Sequence, residues 1–277
     1  MIAISVILFP PRFAPVVSIS TIANFFASFC LAILRAKLSF FLYNDKMNKF
    51  DFISANTGVL VGAGHGIGLE LDRRIRSEFP HIKLYSTYHD QSKNQNSKAL
   101  RLDPLDESDI MKFADSLSEI DFVISTVGYL GSTPEKSLKQ IDLKEMTYAF
   151  QVNALHMPLL MKHLYRKLNS GSLVTVLSAM VGSVSDNHMG GWYGYRGSKA
   201  ALNMFMRNMS IELRKSIVVS VHPGTTKTSL SKDFIKSVKH EVYGADQTAK
   251  HLIDFWQNCM MNHSGRFFHW SGEELTY

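Results

Sequence analysis

Cysteine is nearly missing from this chain: Cys30 and Cys259 are the only two in 277 residues. Two thiols exclude a disulfide-built scaffold and a cysteine-ligated metal cluster, and they fit a reducing, cytoplasmic compartment. The 11 histidines are scattered, with no spacing that suggests a metal site. Long blocks of one charge are absent as well. The net charge of +6 divides into +3 over residues 1–46, where Arg12, Arg35, Lys37 and Lys46 stand against Asp45, and +3 over the remainder. No basic run with interleaved aromatics occurs in that remainder, so nucleic acid is not an expected partner. Internal repeats, low-complexity tracts and a second-domain linker after Met47 are missing too. An apolar content of 45% and a charged content of 19% then describe an ordinary globular chain, long enough for one large α/β domain.

Residues 1–46 stand apart. From Phe13 to Leu34 there are 22 residues without a charge, long enough to cross a bilayer as a helix. Arg35 and Lys37 follow and would keep the downstream domain on the cytoplasmic side. Ser18, Ser20, Thr21, Asn24 and Ser28 dilute the apolar character, and no clear small-x-small cleavage site supports a secretory signal. Residues 1–46 are read as an N-terminal extension, such as a misplaced start would produce. A membrane anchor over 13–34 and a packed extra helix are the alternatives. Residues 47–277 are expected to form the functional domain.

Thr57 to Val61 is a short β-branched apolar run, the mark of a buried strand. It enters G-A-G-H-G-I-G, with glycines at Gly62, Gly64, Gly66 and Gly68, His65 and Ile67 filling the gaps. An amphipathic run from Leu69 to Arg76 follows. Strand, glycine turn and helix together form a dinucleotide-binding context, with the pyrophosphate facing the helix N-terminus. The next strand, Ile82 to Tyr88, ends in Thr87-Tyr88-His89. An NAD-selective site places a carboxylate there for the ribose hydroxyls, but the nearest acid, Asp90, is displaced. His65, His89 and Lys93 could instead approach a 2′-phosphate, which favours NADP(H) over NAD(H).

Further apolar runs recur at Ala99–Asp103, Asp121–Gly128, Ser172–Leu177, Ile217–His222 and Gly265–Trp270, alternating with helical stretches. One of these stretches spans about 143–168 and carries Asn153. This alternation predicts a Rossmann-type, doubly wound parallel sheet of about seven strands with helices on both faces. Binding then falls outside the carboxyl ends of the strands. Gly62, Gly128, Ser178 and Pro223 all lie at such ends, and Asp103 sits where it could meet an adenine edge.

Tyr195 and Lys199 are four residues apart, so one helix face presents both side chains. A phenol with a pKa of about 10 is a poor proton carrier at neutral pH, and an adjacent cation favours its phenolate. Of the 10 tyrosines, only Tyr195 has a lysine four residues on. Met204, Met206 and Met209 follow on the same helix and fit a core or subunit interface.

These features together resemble the short-chain dehydrogenase/reductase family, from about Thr57 to the C-terminus. The likeness rests on Gly62, Gly66 and Gly68, Asp103, Asn153, Ser178, the YxxxK pair Tyr195 and Lys199, and Pro223-Gly224. The segments G-S-V-S-D-N-H-M-G-G-W-Y-G-Y-R-G-S-K and G-R-F-F-H-W-S-G are similar to the C-factor and sniffer-type carbonyl reductase subgroup. The resemblance implies hydride transfer between a nicotinamide and a carbonyl or alcohol substrate. Tyr195 would act as proton donor and Lys199 would tune it and bind the nicotinamide ribose. Ser178 would hold the substrate oxygen, and Asn153 would hold a water. The loop after Pro223 and Gly224, with Thr226 and Thr228, would bracket the nicotinamide. A homo-oligomer is a further implication.

Three departures accompany the likeness. Val61 stands where the family has threonine, and Ser125-Thr126-Val127-Gly128 replaces N-N-A-G. Counting forward from the fifth strand selects Ser178 as the catalytic serine, whereas counting back from Gly182 selects Ala179. These departures support an alternative, a non-catalytic dinucleotide-binding sensor or interaction protein on the same fold.

Overall fold

The computed structural model describes residues 49–131, 133–232, 234–235 and 241–277. The extension over 1–46, including the alternative of an anchor at 13–34, lies outside the described residues. Among the described residues, no helix is long and apolar enough to cross a membrane.

Strand β1 (Thr57–Val61) shows why a continuous apolar run was needed. Val59 and Val61 enter one buried cluster and Leu60 the other, so both faces of the strand are covered. The remaining strands are β2 (Lys83–Tyr88), β3 (Leu100–Arg101), β4 (Ile120–Ser125), β5 (Leu168–Leu177), β6 (Ile217–His222), β7 (Arg266–His269) and β8 (Glu274–Leu275). They form one sheet in the order β3-β2-β1-β4-β5-β6-β7-β8. All neighbours pair in parallel except β7 and β8. The expected doubly wound α/β sheet is therefore present, with one strand more than the apolar runs indicated. That strand, β8, is two residues long and carries no apolar run to announce it.

Among the described residues, six α-helices cover the sheet: α1 (Gly66–Glu78), α2 (Glu107–Asp115), α3 (Leu143–Phe150), α4 (His156–Leu164), α5 (Tyr193–Glu212) and α6 (Ala245–Trp256). On one face, Leu71 and Ile75 of α1 and Leu252 and Trp256 of α6 join the same buried cluster as Leu60, Phe122 and Val219. On the other, Ile110 of α2, Met157 and Leu160 of α4, and Leu202 and Met206 of α5 pack with Val59, Val174 and Val218. The helix expected over 143–168 is not uniform. A wider π turn, Gln151–Leu155, separates α3 from α4 and contains Asn153. Such turns mark functional positions in many helices. The strand order reverses between β1 and β4, which opens a crevice at their carboxyl ends.

Candidate active site and cofactor cleft

The turn after β1 is built from glycine for steric reasons. Gly62 has φ of 89°, a left-handed conformation that other residues adopt only with strain. Its N–H and that of Ala63 donate to the Thr87 carbonyl at 3.2 and 2.7 Å, fastening the turn to the end of β2. A Cβ on Gly68 would overlap the Gly62 carbonyl oxygen and sit 2.7 Å from Thr126 Oγ1, so α1 starts this close to the turn only with glycine there. His65 caps α1 without a side-chain hydrogen bond, which leaves the first-turn amides, those of Ile67 and Gly68 included, open to an anion. The Ile67 side chain itself packs against the core. Thr126 Oγ1 donates to the Gly62 carbonyl at 2.9 Å. The hydroxyl missing at Val61 is thus returned to the turn from the end of β4.

A cleft of about 520 Å³ opens beside this turn, with Gly62, Gly64, His65, His89, Asp103 and Gly128 among its walls. His89 Nε2 lies 3.4 Å from one oxygen of Asp103, and the other accepts the Leu105 N–H at 3.0 Å. Asp103 is therefore already tied to its own loop. Asp90, expected to be displaced, lines the cleft. Hydrogen bonds from Ser92 and Lys93 hold its carboxyl down at about 2. Lys93 and Arg101 line the same cleft. The composition of β3 gave no reason to single out Arg101. Burial, helped by Lys93, holds His65 below the usual imidazole range.

Helix α5 starts from Trp192, a non-glycine residue with φ of 52°. The Trp192 N–H donates to the Glu135 carbonyl. The Gly194 N–H donates to the buried Glu135 carboxylate at 3.3 Å. A negative group is favourable at a helix N-terminus, and here it fixes the start of the helix that carries Tyr195. Lys199 Nζ lies 5.9 Å from the Tyr195 ring centroid and donates to the Leu177 carbonyl at 2.8 Å.

The charges of this pair differ from the sequence expectation. Burial pushes the Tyr195 phenol up to about 12, and no lowering by Lys199 offsets it. The same burial pulls Lys199 down to about 7. An amine that is itself half-deprotonated near neutral pH stabilises a phenolate only weakly, so desolvation wins over attraction.

Ser178 lies directly after β5. Its N–H donates to the Val221 carbonyl at 2.8 Å, and its buried hydroxyl has no hydrogen-bond partner. Asn153, the residue expected to hold a water, has its side chain bonded to protein groups. Its Oδ1 accepts the Tyr129 N–H at 2.7 Å, and its Nδ2 donates to the Tyr129 carbonyl at 2.7 Å and to Ser198 Oγ at 2.9 Å. Both ends of the amide are engaged in holding a loop and a helix together. Gly128 marks where these parts meet: a Cβ there would lie 4.0 Å from both Asn153 Oδ1 and Lys199 Nζ, and 3.7 Å from Leu230.

The loop after β6 divides. The Thr228 methyl approaches Gly66, 3.6 Å from where a Cβ would sit. Thr226 is buried with its hydroxyl 2.8 Å from that of Thr248, so it faces α6. Gly224, after Pro223, lies against Trp270 and Tyr243. Sequence reasoning also missed His156 and Tyr129. Their one signal was proximity, three residues after Asn153 and directly after Gly128.

Residues 56–239 match the sequence pattern of the short chain dehydrogenase family. The chain belongs to that family, whose members are oxidoreductases. It is 40% identical over 112 residues to the 1-hydroxy-2-glutathionyl-2-methyl-3-butene dehydrogenase of Rhodococcus sp. (strain AD45), covering 40% of this chain and 49% of that relative. The chain thus spans about half the length of that relative. C-signal of Myxococcus xanthus is 30% identical over 162 residues, which are 57% of this chain and 93% of C-signal. The fold superposes on an NADPH-bound carbonyl reductase from chicken fatty liver with a TM-score of 0.71 at 21% identity, over 83% of this chain and 96% of the reductase.

Proposed function

We propose that the protein is a nicotinamide-dependent carbonyl reductase, with NADPH favoured over NADH and Tyr195 as proton donor. The observation that carries this reading is Tyr195 and Lys199 on one turn of α5, with Nζ 5.9 Å from the ring and beside Gly128 of the dinucleotide cleft. The cleft suits a dinucleotide because its glycine turn leaves helix-start amides open. Its volume of about 520 Å³ also lies in the range of small-ligand sites. A reduced nicotinamide bound there would supply hydride to the carbonyl carbon. The Tyr195 hydroxyl gives its proton to the carbonyl oxygen, leaving a phenolate that is reprotonated from solvent by way of Lys199. With its pKa at about 12 the phenol is fully protonated at neutral pH, which suits a donor. Ser178, with its unpaired hydroxyl, is the partner for the same substrate oxygen. Asn153 acts by holding the Gly128–Tyr129 backbone against α5.

NADPH preference draws support from His65, His89, Lys93 and Arg101 lining one cleft, where Asp90 is already paired with Lys93 at 3.0 Å. Oxidation of NADPH and NADH over a panel of aldehydes, ketones and quinones tests the activity. Tyr195→Phe is expected to keep NADPH affinity while kcat falls at least about a hundredfold, the contribution typical of one general acid. Wild-type turnover in that variant rules the mechanism out.

A further inference from the structure

The loop Thr126–Tyr129, which follows Ser125 at the end of β4, forms one wall of the cleft, yet Ser125 and Thr126 stand where the family pattern has paired asparagines. The structure shows what holds it instead. At its far end, Asn153 clasps both the N–H and the carbonyl of Tyr129. At its near end, Ser125 Oγ lies 2.8 Å from His156 Nε2, and the Val127 N–H donates to Ser125 Oγ at 3.4 Å. Asn153 and His156 flank the end of the same π turn and are both buried, 0% and 1% exposed. One short helical segment therefore clasps the loop twice. Between the two clasps, the loop passes the glycine turn at Thr126 and Lys199 at Gly128.

We propose that His156 is a positioning residue, whose neutral imidazole accepts the Ser125 hydroxyl and thereby sets the cofactor-facing loop and its approach to Lys199. That it serves nucleotide binding rests on the reductase reading above; that it orders the loop does not.

The donor directions are consistent. The Val127 N–H donates to Ser125 Oγ, and the Ser125 hydroxyl donates to Nε2. This puts the ring proton on Nδ1, which is buried without a hydrogen-bond partner of its own. The charged group that faces the ring is Lys199 of α5; Ser125 of β4 and Val152 of its own helix are its polar neighbours. Burial and the Lys199 charge both keep the ring unprotonated. A protonated ring would turn Nε2 into a donor and set a second cation beside Lys199.

Three full-chain variants test the proposal. His156→Phe keeps the bulk and deletes the hydrogen bond. His156→Gln can offer an amide oxygen to Ser125. Ser125→Ala breaks the same bond without touching the helix. Amide hydrogen exchange at Val127–Tyr129 and NADPH affinity by calorimetry are read for each. For His156→Phe, exchange is expected to be about tenfold faster at those amides and NADPH affinity about tenfold weaker, the effect of one buried hydrogen bond. Ser125→Ala should reproduce both changes, and His156→Gln should recover most of each. Unchanged loop exchange in both His156→Phe and Ser125→Ala overturns the proposal. So does a loss spread evenly over the chain, which would mark a purely structural histidine. Should the wild-type protein bind neither NADPH nor NADH, the reductase reading fails, and loop exchange still decides the role of His156.

Discussion

At the scale of single residues, burial shifts both members of the Tyr195–Lys199 pair toward their neutral forms. The Tyr195 phenol is held up at about 12 and the Lys199 amine down at about 7. A phenol that keeps its proton thus sits beside an amine whose charge changes near physiological pH. The glycine turn is equally specific at this scale. Gly68→Ala would place a methyl against the Gly62 carbonyl and Thr126 Oγ1. It should cost about 1–3 kcal/mol of stability and abolish nucleotide binding, read from a urea midpoint and an NADPH titration. Retained NADPH affinity would mean that the turn does not carry the phosphate. Tyr195 and Lys199 were legible in the sequence because four residues on a helix is a local relation. The partners of Asn153 were not, since Tyr129 and Ser198 reach it only through tertiary approach.

At the scale of elements, the segment from α3 to α4 organises the site. Apolar periodicity marked it as one helix, and a single π turn changes its phase without altering composition. That is why Asn153 was identifiable as a candidate while its clasp on Tyr129, and His156 with its clasp on Ser125, were not. Strands were easier to read where both faces are covered, as in β1, β6 and the second half of β5, whose apolar run marks residues 172–177. The polar, less buried start of β5 at 168–171 carries no such run, and Leu168 fell within the stretch read as helix. Thr226, which the family resemblance placed at the nicotinamide, turns its hydroxyl to Thr248, a tertiary contact that no local pattern announces. Helix α3 begins at Asp142, whose carboxylate accepts the N–H groups of Lys144 and Glu145. Asp142→Ala should lower stability by about 1 kcal/mol in a denaturant titration. Because the cap lies two turns ahead of the π turn, NADPH affinity should change less than in His156→Phe. A larger effect on affinity than on stability would show that the cap acts on the site directly.

At the scale of the molecule, the same buried groups link folding to pH. His156 is held down at about 3 in the folded protein, against an ordinary value of 6.5. Between those values the unfolded chain takes up a proton that the folded one refuses, so stability falls as pH drops through that window. Lys199 is held at about 7 against 10.5. From about pH 7 upward the unfolded chain again binds more protons, so stability climbs with pH toward the ordinary lysine value. Tyr195 acts in reverse. Its shift from 10.0 to about 12 makes the folded protein retain a proton longer, and stability declines above about pH 10. The three together give a rise from acid to mildly alkaline pH, then a fall, with a limiting slope of about 1.4 kcal/mol per pH unit for each group. Urea midpoints should therefore increase between about pH 5 and about pH 9. His156→Phe should flatten the acid part of that rise, and Lys199→Met the part above neutrality. If Lys199→Met leaves the alkaline rise in place, the buried amine is not its source, and an amine that never loses its charge could not exchange protons with Tyr195 near neutral pH.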